Sequence, residues 1–408
     1  MEQRGFVFQE ENLLSPADAV ATFLARVPLA PSGVERVALD DALGRTLAQT
    51  LAADDDYPNA PRSAMDGFAL RAAEMPGSAR VLGEIAMGSA WAGTLGPGEA
   101  LRIPTGGVLP DGADAVVPIE DARLEQGRVH VVEAVAPGAN VNPRAGDMRK
   151  GEPILHPGTR IGAPQLGVLA TLGVTQVPVF RRPRIAVISS GDELIAPDAI
   201  PAPGEIRDSN RYAIAGSLRA AGAEVLHVPT VRDEPGALEA ALRGALAAAD
   251  AAILTGGSSV GERDHTPSAI AALGEPGVVV HGLRVKPGKP TVIGAVGGKP
   301  IIGLPGNPTS ALLILEAVML PILSAMLGST LVAHTAHARL AGEARSRRGW
   351  TWFVPVALRH EGGDLTAHPL PLRSSAVSLT ARADGYLTIP AATETLAVGT
   401  MVEVHRFI

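Results

Sequence analysis

The sequence predicts a multidomain α/β protein whose largest unit is a doubly wound α/β domain. Between residues 184 and 327, short apolar runs rich in β-branched residues alternate with helical segments, a rhythm typical of right-handed crossovers on a parallel sheet. Residues 52–140 differ, because short apolar pieces there are separated by Gly and Pro at the spacing of a small β-rich unit. Residues 335–408 return to short alternating strands, which predicts a small β-barrel-like domain at the C-terminus.

Helical segments on both sides of the β-rich unit suggest that this unit is an insertion. Residues 15–26 open with Ser15 and Pro16, a favourable N-cap and first-turn pair, and residues 37–51 and 164–172 also have helical patterns. We therefore expect a discontinuous helical and extended platform with three further domains. The predicted boundaries are 1–51 with 141–180 for the platform, 52–140 for the inserted β-rich domain, 181–328 for the α/β domain and 335–408 for the C-terminal β domain.

Composition excludes several classes of function. Apolar residues make up 46% of the 408 residues but aromatics only 3%, so the core must be built mainly from Ala, Val, Leu and Ile. The absence of cysteine excludes disulfides, thiolate metal sites and a cysteine nucleophile. A net charge of −7 argues against a broad basic face for nucleic acid, so we expect no nucleic-acid partner. An anionic substrate would need a local positive patch.

No segment has the pattern of a membrane span. The first 20 residues lack the apolar stretch of a signal peptide. The longest apolar segment, residues 310–327, contains Glu316 and Pro321 and is interpreted as a buried helix. We expect no membrane partner and a cytoplasmic location.

Polar, glycine-rich loops follow the predicted strands of the α/β domain. In an open parallel sheet the ligand crevice lies outside the carboxyl ends of the strands, so these loops are expected to converge. This arrangement predicts a site for a phosphate-bearing ligand, with carboxylates available for a metal. The loops are SSGDEL (189–194), VRDE (231–234), TGGSSVGERDHT (255–266), RVKPGKP (284–290) and GLPGNP (303–308), and a further polar loop, SAMDGFA (63–69), lies far upstream.

The loop 255–266 has the strongest character of a phosphate cradle. Gly256 and Gly257 allow close approach of the backbone to a ligand, and Ser258 and Ser259 can donate hydroxyl hydrogen bonds. The helix that follows offers free N–H groups and the positive end of its dipole. Asp264 stands at the entrance of that helix, where it can serve as an N-cap, as a ligand-binding residue, or as both.

Two other loops offer cations and a helix start. Lys286 and Lys289 lie close to Arg284 in a proline-stiffened turn, which would pre-organise positive charge for a phosphate; the alternative is a solvated basic turn. In GLPGNP, Asn307 can cap a helix whose first turn holds Pro308, and this loop can equally be a purely structural turn.

Carboxylates at two strand ends suggest a metal site. Asp192 and Glu193 are adjacent, and Asp233 comes from the next crossover; such carboxylates beside a phosphate suit Mg²⁺ or another hard divalent cation. Asp192 can instead form an Asx turn. The same alternative holds for Asp66, whereas Thr105 stands beside two glycines at a backbone that can meet a ligand.

The motifs together resemble those of the molybdopterin molybdenumtransferases, the family of bacterial MoeA and of the E domain of gephyrin. They occur in the order of the family and extend over almost the whole chain. The matching segments are SAMDGFA, IPTGGVLPDGADAVVPIE, NVNPRAGDMRKGEPIL, RPRIAVISSGDELI, IRDSNRY, GGSSVGERDHT, KPGKPT and GLPGNPTSA.

The resemblance implies a reaction and a set of partners. Members of the family insert molybdenum from molybdate into the dithiolene of adenylylated molybdopterin, releasing adenylate, and they need a divalent cation. They form elongated homodimers of four-domain chains in which two protomers share the site. A molybdopterin adenylyltransferase is the implied upstream partner, and a molybdoenzyme or its chaperone the implied downstream partner.

The resemblance also assigns roles to residues of this chain. It places Asp66, Thr105 and Glu193 at catalytic positions, and it is compatible with the metal set Asp192, Glu193 and Asp233. The predicted substrate-binding residues are Arg144, Asp147, Asp233, Gly256, Gly257, Ser258, Ser259, Asp264, Lys286, Lys289, Pro305 and Asn307.

Three departures from the family pattern leave two other functions open. Ala145-Gly146-Asp147 replaces a Gly-Glu-Asp motif, Ser258 replaces a more usual valine, and GERDHTP (261–267) leans toward the related stand-alone molybdopterin adenylyltransferases. An adenylyltransferase and a non-catalytic molybdopterin-binding scaffold are therefore alternatives. The upstream segment 63–69 and the C-terminal β domain favour molybdenum insertion, because the stand-alone adenylyltransferases lack both.

Overall fold

A computed structural model describes residues 12–234, 236–256, 265–331, 334–371 and 373–407. The fold class expected from the sequence is confirmed, with an α/β sheet, a separate β-rich unit and a closed C-terminal barrel. The domain boundaries stay predictions. The helices are α1 (Pro16–Arg26), α2 (Ala163–Thr171), α3 (Asn210–Ala221), α4 (Ala237–Ala248), α5 (Thr266–Leu273), α6 (Pro308–Ile314), α7 (Leu320–Leu327) and α8 (Val377–Arg382).

Helix α1 begins as the sequence predicts. Ser15 accepts the N–H of Asp18 at 3.2 Å, and Pro16 occupies the first turn. Val20 and Phe23 of this helix pack in the same core as Ile185 and Ile214 of the α/β unit. The packing of α1 is therefore with the α/β sheet, although its sequence position lies in the predicted platform.

The helix expected over residues 37–51 is wrong. The chain there forms a strand at Val34–Ala38, a single 3₁₀ turn at Leu39–Asp41 and a short strand at Leu51–Ala52. The first strand pairs antiparallel with Gln176–Phe180, so sheet hydrogen bonds outweigh the local helical preference. Gly44, at a φ of 72°, also interrupts any helix.

The N-terminal half of the chain contains three small ribbons and one mixed sheet. That sheet has the strand order β7-β4-β6-β5-β9-β8, and the ribbons are β1-β12, β10-β3 and β11-β2. The strands are β1 (Val34–Ala38), β2 (Leu51–Ala52), β3 (Arg62–Ser63), β4 (Gly67–Leu70), β5 (Gly77–Glu84), β6 (Glu99–Ile103), β7 (Ala115–Pro118), β8 (Arg123–Glu125), β9 (Arg128–Val131), β10 (Val141–Asn142), β11 (Pro153–Leu155) and β12 (Gln176–Phe180).

The α/β sheet is mixed, with the order β16-β13-β17-β21-β20-β18. The first four strands are parallel, β20 runs antiparallel to β21, and β18 runs antiparallel to β20. Because of these two reversals, β18 runs in the same direction as β21. The carboxyl end of β18 therefore lies at the same edge of the sheet as those of the four parallel strands. Its strands are β13 (Arg184–Ser189), β16 (Glu224–His227), β17 (Ala251–Thr255), β18 (Pro276–His281), β20 (Val292–Val296) and β21 (Lys299–Leu304). Outside this sheet, β14 (Leu194–Ile195) and β15 (Ile206–Arg207) form a two-stranded ribbon, and β19 (Val285–Lys286) pairs with the C-terminal unit.

All five glycine- and charge-rich loops predicted to converge therefore follow strands that end at one edge of this sheet. Strand β20 is the exception to the parallel arrangement, because the short Gly-Gly turn before β21 (Gly297 and Gly298, both at positive φ) makes a hairpin. The common edge is kept because β20 precedes none of those loops.

A long apolar helix runs from Pro308 to Leu327 beneath the sheet. It is long and apolar enough to cross a membrane, with a mean hydropathy of 2.1, but 67% of that window is buried within the protein. It is therefore the buried helix that the sequence predicts. A π turn at Leu315–Met319 separates α6 from α7. Pro321 follows this turn and lacks the N–H of a regular helix, which is a common setting for such an irregularity.

The C-terminal strands close into a five-stranded barrel. The barrel order is β24-β25-β22-β28-β26, and β26 pairs back onto β24. The short strand β19 of the α/β unit pairs in parallel with β24 from outside the ring, which joins the two units directly. The barrel strands are β22 (Thr335–Leu340), β24 (Thr351–Glu361), β25 (Asp364–Pro369), β26 (Gly385–Ile389) and β28 (Met401–Arg406), and β23 (Ala344–Arg345) and β27 (Thr395–Leu396) form a separate two-stranded ribbon.

His281, at the end of β18, is expected to make stability depend on pH. Burial lowers the pKa of His281, so the folded protein favours its neutral form. As pH falls below the ordinary histidine value of about 6.5, the unfolded chain binds the proton more readily and the free energy of unfolding falls. Urea titrations between about pH 7.5 and 5.5 should show this loss, and His281→Gln should reduce it. An identical pH slope in the variant would contradict the assignment.

Candidate functional site

A cavity of about 300 Å³ lies at the carboxyl edge of the α/β sheet. The loops after β13, β17 and β21 line it, together with the β14–β15 ribbon, the start of α3 and a segment of the C-terminal unit. Its lining residues include Ser190, Glu193, Asp208, Ser209, Asn210, Thr255, Gly256, Gly306, Asn307, Pro308, Ser375 and Val377. Of the predicted site residues, the structure thus brings Glu193, Gly256 and Asn307 together.

The floor of this cavity is built from closely packed backbone. Gly256 has a φ of 94°, and a Cβ at this position would lie 1.9 Å from the carbonyl oxygen of Ser190. The Ser190 N–H donates to the Thr255 carbonyl at 2.9 Å. Only glycine fits at residue 256, so the backbone at this point can approach a ligand closely, as the sequence predicts.

Asn210 is a site residue that sequence reasoning did not single out. Its side-chain amide donates to the Thr255 hydroxyl at 2.9 Å and to the Gly306 carbonyl at 2.7 Å. Asn210 therefore fixes the loop after β17 against the loop after β21. The sequence could have indicated Asn210, because it lies within the IRDSNRY segment that carries part of the family resemblance.

Two helix N-termini border the cavity and favour an anion. Helix α3 starts at Asn210, and helix α6 has Pro308 in its first turn, as predicted; Asn307 occupies the N-cap position, but its side chain makes no capping hydrogen bond to the described first turn of that helix. The free N–H groups and dipoles of such ends attract phosphate. At α3, the Asp208 carboxylate accepts a hydrogen bond from the Arg211 N–H at 3.2 Å and pairs with the Arg211 guanidinium at 3.1 Å. One of the N–H groups at the start of α3 is therefore already bonded within the protein.

The predicted metal carboxylates lie near one another in an open arrangement. The Ser190 hydroxyl donates to Asp233 at 2.8 Å, and the Asp233 N–H lies 3.3 Å from an oxygen of Asp192. Asp192, Glu193 and Asp233 are all exposed. Within the described ranges, no three His, Asp or Glu side chains are grouped closely enough to hold a metal. Mg²⁺ commonly takes one or two carboxylates and completes its shell with water and substrate phosphates, so the oxygen donors suit it and the metal set stays a prediction.

The remaining predicted residues of the α/β edge fall in three groups. Pro305 is buried beneath the loop that carries Asn307. Lys286 and Lys289 do not line the cavity and lie instead beside two tryptophans of the C-terminal unit. The residues Gly257, Ser258, Ser259 and Asp264 lie outside the described residues.

A second cavity, of about 510 Å³, gathers the upstream candidates. Thr105 and Asp147 both line it, and Asp66 stands next to it, with its carboxylate accepting the Thr105 N–H at 2.7 Å. Asp66, Thr105 and Asp147 are exposed. The two cavities have no lining residue in common. The predicted residues that line a cavity therefore fall in two groups, Glu193, Gly256 and Asn307 in one and Thr105 and Asp147 in the other.

Arg144 is oriented by an aspartate that sequence reasoning missed. Its Nε donates to Asp56 at 2.8 Å, and the backbone N–H of Lys150 donates to the other Asp56 oxygen at 2.9 Å. The Lys150 N–H, and then Arg144, lower the pKa of Asp56. Ala145, at a φ of 57°, bends the chain so that the loop closes back onto residues 57–58. Asp56 therefore fixes the loop that presents Asp147.

We expect Asp56→Asn to weaken substrate binding while leaving the fold intact. The amide oxygen can still accept from Lys150, but the ion pair that holds Arg144 is lost, so the Michaelis constant should rise with little change in melting temperature. Steady-state kinetics and thermal unfolding measure the two effects. Glu125→Gln removes another carboxylate–arginine ion pair, the more exposed one between Glu125 and Arg123, and should change neither. Equal kinetics for both variants would show that Asp56 has no role at the site.

Comparison with known families covers nearly all of the chain. Residues 14–173 match the MoeA N-terminal region (domain I and II), residues 186–325 match a family described as "Probable molybdopterin binding domain", and residues 337–407 match the MoeA C-terminal region (domain IV). The matches follow the units of the structure in order. The fold and its loops thus define a MoeA-type multidomain protein with a molybdopterin-binding class of α/β domain.

Individual relatives support the same assignment. The molybdopterin molybdenumtransferase of Bacillus subtilis (strain 168) is 34% identical over 383 residues, which is 91% of this chain and 89% of that protein. That of Nostoc sp. is 38% identical over 71% of this chain and 68% of its own. A molybdopterin biosynthesis MoeA protein from Pyrococcus horikosii superposes with a TM-score of 0.80 at 34% identity, covering 97% of this chain and all of its own. The chain belongs to the molybdopterin molybdenumtransferase family.

Proposed function

We propose that this protein is an enzyme of molybdenum cofactor biosynthesis that inserts molybdenum from molybdate into the dithiolene of adenylylated molybdopterin and releases adenylate. The observation that carries the proposal is the cavity at the α/β edge, where Gly256 and the starts of α3 and α6 offer N–H groups beside the carboxylate of Glu193. Family membership supplies the substrate, and the cavity has the chemistry that its phosphates require.

The residues present suit each part of the reaction. The N–H groups around Gly256, Asn210 and Asn307 bind phosphate oxygens of the link that breaks. Glu193, with Asp192 and Asp233 nearby, would supply oxygen ligands to a Mg²⁺ or another divalent cation, which would neutralise charge on those phosphates. A carboxylate can also orient the water or oxyanion that attacks the link, and adenylate then leaves.

The separation of the two cavities supports a dimeric site. We propose that two protomers associate so that the cavity holding Thr105 and Asp147 in one faces the α/β cavity of its partner. Each cavity holds only some of the predicted residues, since Asp66 and Thr105 belong to one and Glu193 and Gly256 to the other. Such sharing is expected from the family resemblance, and so are a cytoplasmic location, delivery of substrate by an adenylyltransferase and transfer of product to a molybdoenzyme or its chaperone.

Adenylate release from adenylylated molybdopterin, with and without molybdate, tests the function. Molybdate-dependent release in the presence of Mg²⁺, together with formation of molybdenum cofactor, is the expected result. Bound substrate without release would overturn the enzymatic proposal in favour of a scaffold. Consumption of ATP with molybdopterin as the other substrate would instead indicate an adenylyltransferase.

A further inference from the structure

The basic loop of the α/β unit is held by aromatic side chains of the C-terminal barrel. The ammonium group of Lys286 lies 5.6 Å from the ring centroid of Trp352 and 6.0 Å from that of Trp350, and the ammonium group of Lys289 lies 5.6 Å from Trp350. These distances are within the range in which the face of an indole attracts a cation. Trp350 is buried and contacts both lysines, and Trp352 is half-buried.

The backbone makes this contact a fixed feature of the fold. Strand β19 pairs with β24 so that Lys286 lies opposite Trp352, and the Thr351 N–H donates to the Arg284 carbonyl at 3.1 Å. The turn itself is tightly packed, because a Cβ on Gly288 would lie 2.3 Å from the side chain of Ile314. Lys286 and Trp352 therefore face each other across two paired strands, while Lys289 lies in the packed turn after β19 and Trp350 immediately precedes β24.

We propose that Trp350 and Trp352 are positioning residues, which hold the ammonium groups of Lys286 and Lys289 in place for the anionic part of the substrate. This inference rests on the proposed function, because it assumes that the two lysines bind the substrate phosphates. A flexible lysine loses rotamer freedom when it binds an anion, and an indole that restrains it beforehand lowers that cost. The C-terminal unit then contributes positioning residues to the site at the α/β edge.

Substitutions that separate the π face from the bulk of the side chain test the proposal. Trp350→Leu and Trp352→Leu keep an apolar side chain but lose the aromatic face, whereas Trp350→Phe and Trp352→Phe keep a smaller face. We expect each leucine variant to raise the Michaelis constant for adenylylated molybdopterin by about five-fold with little change in kcat. The phenylalanine variants should recover most of this loss. Trp91→Leu, at an exposed position of the β-rich unit, should change nothing.

Fluorescence gives a readout that a merely structural role would not move. The chain has three tryptophans, so Trp91→Phe leaves emission from the pair alone. Inorganic pyrophosphate, and separately AMP, should change this emission in a salt-sensitive way, and Lys286→Ala combined with Lys289→Ala should abolish the change. Double-mutant cycles between Trp350→Leu and Lys289→Ala should be non-additive.

The outcomes distinguish this proposal from the function on which it rests. If wild-type protein releases adenylate but leucine and phenylalanine variants behave alike, the positioning role is wrong. If wild-type protein releases none, the proposed function fails, and the emission change with pyrophosphate still decides whether the tryptophan-held lysines bind an anion. Trp352 is only half-buried, so its variants decide the question if Trp350→Leu lowers the melting temperature substantially.

Discussion

Asp66→Asn should abolish molybdate-dependent release of adenylate while leaving the melting temperature almost unchanged. Asp66 is exposed, and its interaction with the protein is a hydrogen bond from the Thr105 N–H at 2.7 Å. The amide oxygen of asparagine can accept the same bond, so the loop should keep its shape. What the substitution removes is the negative charge beside the cavity that holds Thr105 and Asp147, and a carboxylate that orients a nucleophile or a metal cannot be replaced by a neutral amide.

Single-turnover assays and thermal unfolding together decide the role of Asp66. Asp121→Asn is a matched control, because Asp121 is an exposed aspartate of the same β-rich unit at a different cavity. The control should retain full activity. A melting temperature lowered by more than about 5 °C in Asp66→Asn would make Asp66 a structural residue, whereas full activity in the variant would remove it from the chemistry.

The Asp66→Asn variant also tests whether two protomers share each site. If Asp66 of one protomer acts on substrate held at Gly256 of the other, then Asp66→Asn and Glu193→Gln impair opposite halves of each shared site. Mixing the two variants under conditions that exchange subunits should restore about a quarter to a half of the wild-type activity, because some sites then contain both wild-type halves. Sites built within one chain would give no recovery on mixing.

Local patterns predicted the elements of the α/β unit, and the carboxyl-edge rule predicted where its loops meet. Alternation of short apolar runs with helices is set by local sequence, and strand direction follows from the crossovers. The reversal at β20 was readable from the sequence, because the two-residue Gly-Gly link before β21 is far too short for a parallel crossover, which needs a dozen or more residues. The helix predicted over residues 37–51 was wrong because the strand at Val34–Ala38 forms only by pairing with Gln176–Phe180, which is distant in sequence.

The contacts that orient the site residues could not be predicted because they join distant parts of the chain. Asp56 and Arg144 are 88 residues apart, and the sequence gives no register that would pair them. Lys286 meets Trp350 and Trp352 only because β19 leaves the α/β unit to pair with β24. The family motifs identified residues that carry charge, whereas the residues that hold those charges in place required the structure.

Gly256→Ala should cause the largest loss of stability among single substitutions at the site. The new methyl group would lie 1.9 Å from the carbonyl oxygen of Ser190, and the φ of 94° is unfavourable for any residue with a Cβ. Neither strain can be relieved by rotating a side chain, because both partners are backbone. The strand ends at Thr255 and Ser190 must separate, so we expect the free energy of unfolding to fall by at least about 3 kcal/mol and activity to be lost with it.

Adding the same methyl group at a helical glycine should have the opposite effect on the free energy of unfolding. Gly244 lies within α4, and a Cβ there would meet no atom within 4 Å, so Gly244→Ala should raise the free energy of unfolding by about 0.5–1 kcal/mol. Urea denaturation of the two variants against wild type measures both changes with one method. If Gly256→Ala were as stable as wild type, the loops after β13 and β17 could not be packed as closely as the structure has them. The phosphate cradle at the sheet edge would then lose its physical basis, because a backbone that tolerates a Cβ at residue 256 does not need glycine to approach a ligand.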